Sequence, residues 1–383
     1  MNLRLPLLTA ALALLGACAA PQPAPDIDAQ VKRLMARDNV QGLALATIDH
    51  GAVTRVAAYG RRDATQSLTP DTIMYGASLT KTAFAYLLLQ LADEGRLDLD
   101  ASIAQLLPRP LPSYRGKDFD FGDLEGDERW RQLTPRILLN HASGFANFRW
   151  LEPDKKLRFH FAPGGRYAYS GEGFYILQLV LEQGLGLDTE SEMQRRVFDR
   201  FGMRSTSMRW REDFAANLAD GFAADGSMAP HDQRSRVRAA GSMDTTIADQ
   251  ARLWAGIVRG DGLSAGARAA MVAPAFPITS LQQFPTLAQA VNPDNARVGL
   301  AAGLGVVSFR DRAGLAWFKG GHNDTTANLV ICQEHQQRCV VMLSNDVRAE
   351  RLYPDLARLV LGPNNMPWRW EYGAEAGESK TAK

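Results

Sequence analysis

Apolar runs too short for helices stand near both ends of this chain, with helical spacing between them. Val40 to Ile48 and Ala52 to Tyr59 are joined by Asp49-His50-Gly51, a turn sequence, and read as a hairpin. Toward the other end, Gly303 to Phe309, Leu315 to Lys319, Leu329 to Cys332 and Cys339 to Leu343 repeat the alternation of strand and turn. In the middle, Ser78 to about Glu94 carries Phe84, Leu87, Leu88 and Leu91 at core spacing, with Gly95 as its stop. Leu133 to Leu139 follows the helix-start signal Thr134-Pro135, and Gly173 to Gln183 is a further helix. Ile27 to Met35 and Arg351 to Leu361 add helices at the two ends. Strands from both ends meeting in one sheet around a helical insert predict an α+β fold: an antiparallel sheet built from both chain ends, flanked by helices, with a mostly helical middle region. The α/β part is expected over 27–77 and 240–362, and the helical part over about 78–239. Pro108 to Arg131, rich in Pro, Gly, Asp and Arg, reads as a solvated, irregular surface loop. Residues 363–383 read as a polar, disordered tail.

The chain has 383 residues, and 43 Lys and Arg stand against 42 Asp and Glu. That balance gives no electrostatic case for nucleic acid. The first residues are different. After Arg4, Leu5 to Leu15 is almost wholly apolar, yet too short to span a membrane, so 1–17 reads as a signal peptide. Leu15-Gly16-Ala17-Cys18 resembles a bacterial lipoprotein processing site. That resemblance implies an acylated Cys18, a lipid anchor, and exposure on the periplasmic face of the cell envelope, with Ala19 favouring the outer membrane. Pro21, Pro23 and Pro25 make 18–26 an extended tether to the domain at 27–362. The other two cysteines, Cys332 and Cys339, end two arms of an expected hairpin. Opposed there and exported to an oxidising compartment, they are expected to form a disulfide.

Ser78-Leu79-Thr80-Lys81 carries the chemistry. Three residues apart on a helix, hydroxyl and amine share a face. A neutral lysine can take the serine proton and leave a nucleophile. That needs burial or a nearby cation to lower the lysine pKa. About one Ser-x-x-Lys is expected by chance in a chain this size, but this one opens the best helix in the sequence. A helix start also offers free N–H groups to developing negative charge. The competing reading is a plain N-cap, with Ser78 bonding the first free amides.

At this point the chain resembles the serine β-lactamase and penicillin-binding-protein-like hydrolases, closest to their class C and esterase branch. Beyond Ser78-x-x-Lys81, the resemblance rests on Leu138 to Phe145 (LLNHASGF), Pro163 to Gly171 (PGGRYAYSG), Ala240 to Met243 with Thr245 to Ala251, Lys319-Gly320-Gly321, and Val340 to Asn345. It implies a β-lactamase/transpeptidase-like fold with Ser78 as the acylated nucleophile and Lys81 as its base partner. It implies that Tyr169 shuttles the proton and Lys319 keeps the cleft positive and holds a substrate carboxylate. The oxyanion hole would be the backbone N–H groups of Ser78 and His322, the residue after Gly321. His141 would serve structure beneath the site. Two positions depart from the pattern. Gly171 stands where the family has Asn, and Gly320 where Thr would offer a hydroxyl to a carboxylate. Asn323 and Asp324 are the nearest replacements.

The implied activity is an acyl-enzyme hydrolysis of an amide, lactam or ester, on a cell-wall D-peptide or a β-lactam. One alternative is a small-ester carboxylesterase of the same family. The other is a non-catalytic envelope lipoprotein that binds peptidoglycan or a partner. No cofactor or metal is expected, since the six histidines show no ligand spacing. The expected partners are a small-molecule or peptide substrate and the membrane at Cys18, with the protein a monomer.

Overall fold

The computed structural model describes residues 26–373. The expected signal peptide and Cys18 lie outside them. The frame is an eight-stranded antiparallel sheet. Its strands are β1 (Gly42–Asp49), β2 (Ala52–Gly60), β3 (Phe276–Pro277), β4 (Ala301–Ala302), β5 (Val307–Asp311), β6 (Gly314–Asn323), β7 (Thr326–Gln333) and β8 (Arg338–Ser344). They lie in the order β2-β1-β8-β7-β6-β5-β4-β3. The two ends of the chain therefore meet in mid-sheet, where Ala44 pairs with Leu343 and Ile48 with Cys339.

The strand sequences are near-continuous apolar runs because both faces of the sheet are covered. Ala44, Ala46, Val330, Val341 and Leu343 face one core, while Leu43, Leu45, Leu329, Ile331, Val340 and Met342 face the other. The first core is filled by α2 (Leu79–Asp93) and α4 (Ile247–Arg259). Every residue of α2 from Leu79 to Leu91 is buried, so it is a central helix with no solvent face. The helix α3 (Gly171–Leu179) packs beside it and runs on to Gly184 as a π-helical turn. Thr246 caps the start of α4 through Asp249 N, and Gly260 ends it at φ 81°. The second core is covered by α1 (Ile27–Asp38), α5 (Tyr353–Leu361) and α6 (Trp368–Tyr372).

Two expectations are corrected. Residues 363–373 are not a disordered tail. Trp370 is 2% exposed and packs on Phe318 and Tyr167, and its carbonyl accepts from Gln283 N at 2.8 Å. The aromatic anchor outweighs the polar composition around it. Nor is Pro108 to Arg131 only a solvated loop. It is a series of short 3₁₀ turns pinned by buried Leu111, Tyr114, Phe121, Leu124 and Trp130.

Cys332 and Cys339 are directly opposed on β7 and β8 and are bonded, with Cα atoms 4.1 Å apart.

Candidate active site

Ser78 sits where the chain turns into α2. Tyr75 O accepts from Asn328 Nδ2 at 2.9 Å, and Gly76 N donates to Met243 O at 2.8 Å. Ala77 then takes φ 46°, a left-handed conformation that costs an alanine about 1 kcal/mol. That bend delivers Ser78 to the helix start with its side chain free, because Ser78 makes no cap hydrogen bond. Its Oγ instead accepts from Lys81 Nζ at 3.0 Å. The capping alternative is thereby excluded.

Lys81 is fully buried. Its Nζ also donates to Ala240 O, from the Ala240 to Met243 segment. Burial, with the charge of Lys319, brings its pKa down to about 8, while Tyr169 opposes the shift. Tyr169 is placed by its successor. Ser170 caps α3 through Gly173 N at 3.2 Å, and its own N–H donates to His141 Nδ1 at 3.1 Å. Nδ1 is therefore unprotonated and His141 neutral, consistent with a pKa held well below its ordinary value by burial and by the Lys319 and Lys81 charges. The imidazole lies 4.3 Å from the Tyr169 ring and 5.2 Å from Phe174, centroid to centroid, so it buttresses the tyrosine from below. Burial alone would raise the Tyr169 pKa. Lys319, Lys81 and a hydrogen bond with Ser78 more than offset that and bring it to about 8. Lys319 Nζ donates to Tyr169 Oη at 3.1 Å and to Gly320 O at 2.9 Å.

Strand β6 reaches this group by outrunning its neighbour. Its pairing with β5 stops at Phe318, so the edge from Lys319 to Asn323 is open on that side. Gly321 then lies against the start of α2. A Cβ there would stand 2.9 Å from Ser78 N and 3.1 Å from Leu79 N, so only glycine allows the approach.

Ser78, Tyr169, Lys319, Gly321 and His322 line one cleft of about 280 Å³. Lys81 and Gly171 sit behind its wall. Of the two expected replacements Asn323 lines the cleft and Asp324 does not. No residue of the Pro108 to Arg131 segment lines it either. That segment braces it from behind: Arg149 donates to Asp120 O at 2.6 Å and pairs with buried Glu172 at 2.8 Å.

The two glycines that break the pattern are both filled by side chains from elsewhere. A Cβ on Gly171 would stand 2.1 Å from the Phe148 ring, which occupies that space. Phe148 stacks on Trp150 with centroids 4.1 Å apart, and both rings line the cleft. A Cβ on Gly320 would stand 2.2 Å from Glu371 Oε1, carried in by α6. Sequence reasoning missed both residues. For Glu371 the signal was Trp368-Arg-Trp370, an aromatic pair just after Pro367. Among the described residues no group of His, Cys, Asp and Glu could hold a metal ion.

The family model described as Beta-lactamase matches residues 27–362. The chain is 27% identical over 242 residues to monacolin J acid methylbutanoyltransferase of Aspergillus terreus, covering 54% of this chain and 57% of that one. It is 25% identical over 208 residues to a beta-lactamase of Pseudomonas fluorescens, covering 51% and 54%. It thus spans about half the length of the curated relatives it matches. Among solved structures, the D-alanine carboxypeptidase AmpC from Burkholderia cenocepacia superposes with a TM-score of 0.67 at 18% identity, over 88% of this chain and 97% of that one. That last likeness is one of fold.

Proposed function

Because the chain belongs to the beta-lactamase family, matched over 27–362, we propose that it is a serine hydrolase that carries the acyl group of a small ester on Ser78. The observation that carries this reading is the 3.0 Å contact between Ser78 Oγ and a buried Lys81 whose pKa is near 8. At that pKa roughly a tenth of the amine is neutral at pH 7, far more than for an ordinary lysine, and can accept the serine proton.

On this reading the reaction runs in two halves. Ser78 Oγ attacks the carbonyl carbon as its proton passes to the Lys81–Tyr169 pair. The oxyanion is held by the backbone N–H groups of Ser78 at the helix start and of His322 on β6. Tyr169 returns the proton to the departing alkoxide, which leaves as the alcohol. Water then attacks the ester on Ser78 and gives its proton to the same pair, which passes it to the departing Ser78 Oγ as the acid is released.

An ester is favoured over a lactam or peptide by the aromatic part of the cleft wall. Phe148 and Trp150 present rings where an amide would recognise a peptide backbone, and rings suit an apolar acyl chain. A transferase acting on an acyl group, the methylbutanoyltransferase, is among the relatives. The second reading, a β-lactam or D-peptide substrate, draws on Lys319 in the cleft.

Intact-mass spectrometry of wild type and Ser78→Ala, with penicillin and with 4-nitrophenyl butyrate, separates them. We expect Ser78-dependent release of 4-nitrophenol and an intact penicillin. A Ser78-dependent penicillin adduct or loss of drug moves the assignment to the second reading. Equal butyrate turnover by a folded Ser78→Ala protein overturns the mechanism. Export as a lipoprotein is part of the same proposal, and palmitate labelling that survives Cys18→Ala would refute it.

A further inference from the structure

We propose that Glu371 closes the cleft to carboxylates, so that this enzyme takes acyl donors with no negative charge beside the scissile bond. The inference rests on the reading of Ser78 as the nucleophile and names the substrate class within it.

Glu371 is 5% exposed yet lines the cleft. Its Oε2 accepts from Gln283 Nε2 at 2.8 Å, which fixes the carboxylate. Its Oε1 fills the space a side chain at position 320 would need, so a hydroxyl at 320 and this carboxylate exclude each other. Gly320 lies between Lys319 and Gly321, and Gly321 touches the amide of Ser78. A substrate with its carbonyl at Ser78 and its body along the open edge of β6 therefore passes Glu371 within the next residue of strand.

The charge balance follows. Lys319 is the cation in the lining of this cleft that would draw in a carboxylate. It already donates to Tyr169 and to Gly320 O, and Glu371 stands as its counter-charge. The other groups facing Glu371 add no positive charge. They are Tyr167, Tyr372 and Glu350, and Glu350 stands 3.8 Å from His322 on the same side. Where Glu371 is ionised, an arriving carboxylate meets a negative charge that offsets the field of Lys319, which is discrimination by repulsion. Burial pushes Glu371 up to about 7 against the pull of Lys319. It is therefore largely ionised at pH 8 and largely protonated at pH 6.

The test uses two matched ethyl 4-nitrophenyl alkylphosphonates, mixed diesters uncharged at phosphorus, one with an alkyl chain ending in a carboxylate and one in its methyl ester. Serine attack on phosphorus expels 4-nitrophenolate and leaves a stable adduct, so the labelling rate reads access to Ser78 without turnover. At pH 8 we expect wild type to label with the methyl ester at least about ten-fold faster than with the carboxylate, and Glu371→Gln to shrink that ratio several-fold. In wild type the ratio should also fall between pH 8 and pH 6 as Glu371 and its neighbour Glu350, raised by burial to about 8, take up protons, and the fall should shrink in Glu371→Gln. Equal rates for the two probes in wild type at pH 8, or a ratio indifferent to both Glu371→Gln and pH, overturn the inference and leave the hydrolase reading intact. No adduct on Ser78 with either probe overturns the hydrolase reading and the inference with it.

Discussion

In the proposed reaction, a proton held in common by Lys81 and Tyr169 is the smallest unit on which turnover would depend. Both groups are brought to about 8, one by burial and one by two ammonium neighbours. The form that can accept the serine proton lacks one of these protons, so kcat/KM should climb as pH rises toward 8 and level off above it. The pair titrates as a unit, and the limb belongs to neither residue alone. Lys319 lowers both values, so Lys319→Met should move the limb to higher pH. A pH–rate profile checks this, and an unmoved limb would remove Lys319 from the electrostatics. Tyr169→Phe should cost about 10²–10⁴ in kcat, the usual range for a lost acid–base group. These residues were legible because each sits in a contiguous motif of fixed spacing. Phe148 and Glu371 were not. Each matters by filling the space over a distant glycine, and a glycine in a sequence announces room without saying what enters it.

At the scale of elements, the site depends on how closely β6 meets the start of α2. Gly321→Ala pushes a methyl group to within 3 Å of Ser78 N. It should cut kcat by about 10²–10³, the loss typical of a displaced oxyanion donor, with the circular dichroism spectrum kept. Unchanged kcat in a folded Gly321→Ala protein would mean that this approach does not set the oxyanion geometry. Strands and long helices were legible from apolar runs because both sheet faces are buried. The short α6 was hidden, since composition averaged over 363–383 is polar although buried Trp370 holds it to the core. Trp370→Ala should cost about 3–5 kcal/mol of stability, measured by urea denaturation. A loss under 1 kcal/mol would show that α6 is not held by this ring.

For the whole molecule, the disulfide closes only a short hairpin. Replacing Cys332 and Cys339 by alanine should cost about 2 kcal/mol, or roughly 3 °C in Tm, and leave kcat unaltered because neither residue touches the cleft. A scanning-calorimetry shift above 10 °C would mean the bond does more than staple a turn. The α+β architecture, with strands from both chain ends in one sheet, was readable, but the register that joins β1 to β8 was not, because sequence carries no distance between Ala44 and Leu343. That pairing has a consequence in time. On the ribosome, β1 and β2 emerge early and wait for β8, the strand that joins them to the rest of the sheet. Ser78, Lys81 and Tyr169 are also made long before the strand beside them can be seated, and Glu371 comes later still. A half-made chain therefore lacks the cleft, and Ser78 meets its neighbours only when nearly all of the protein has been synthesised.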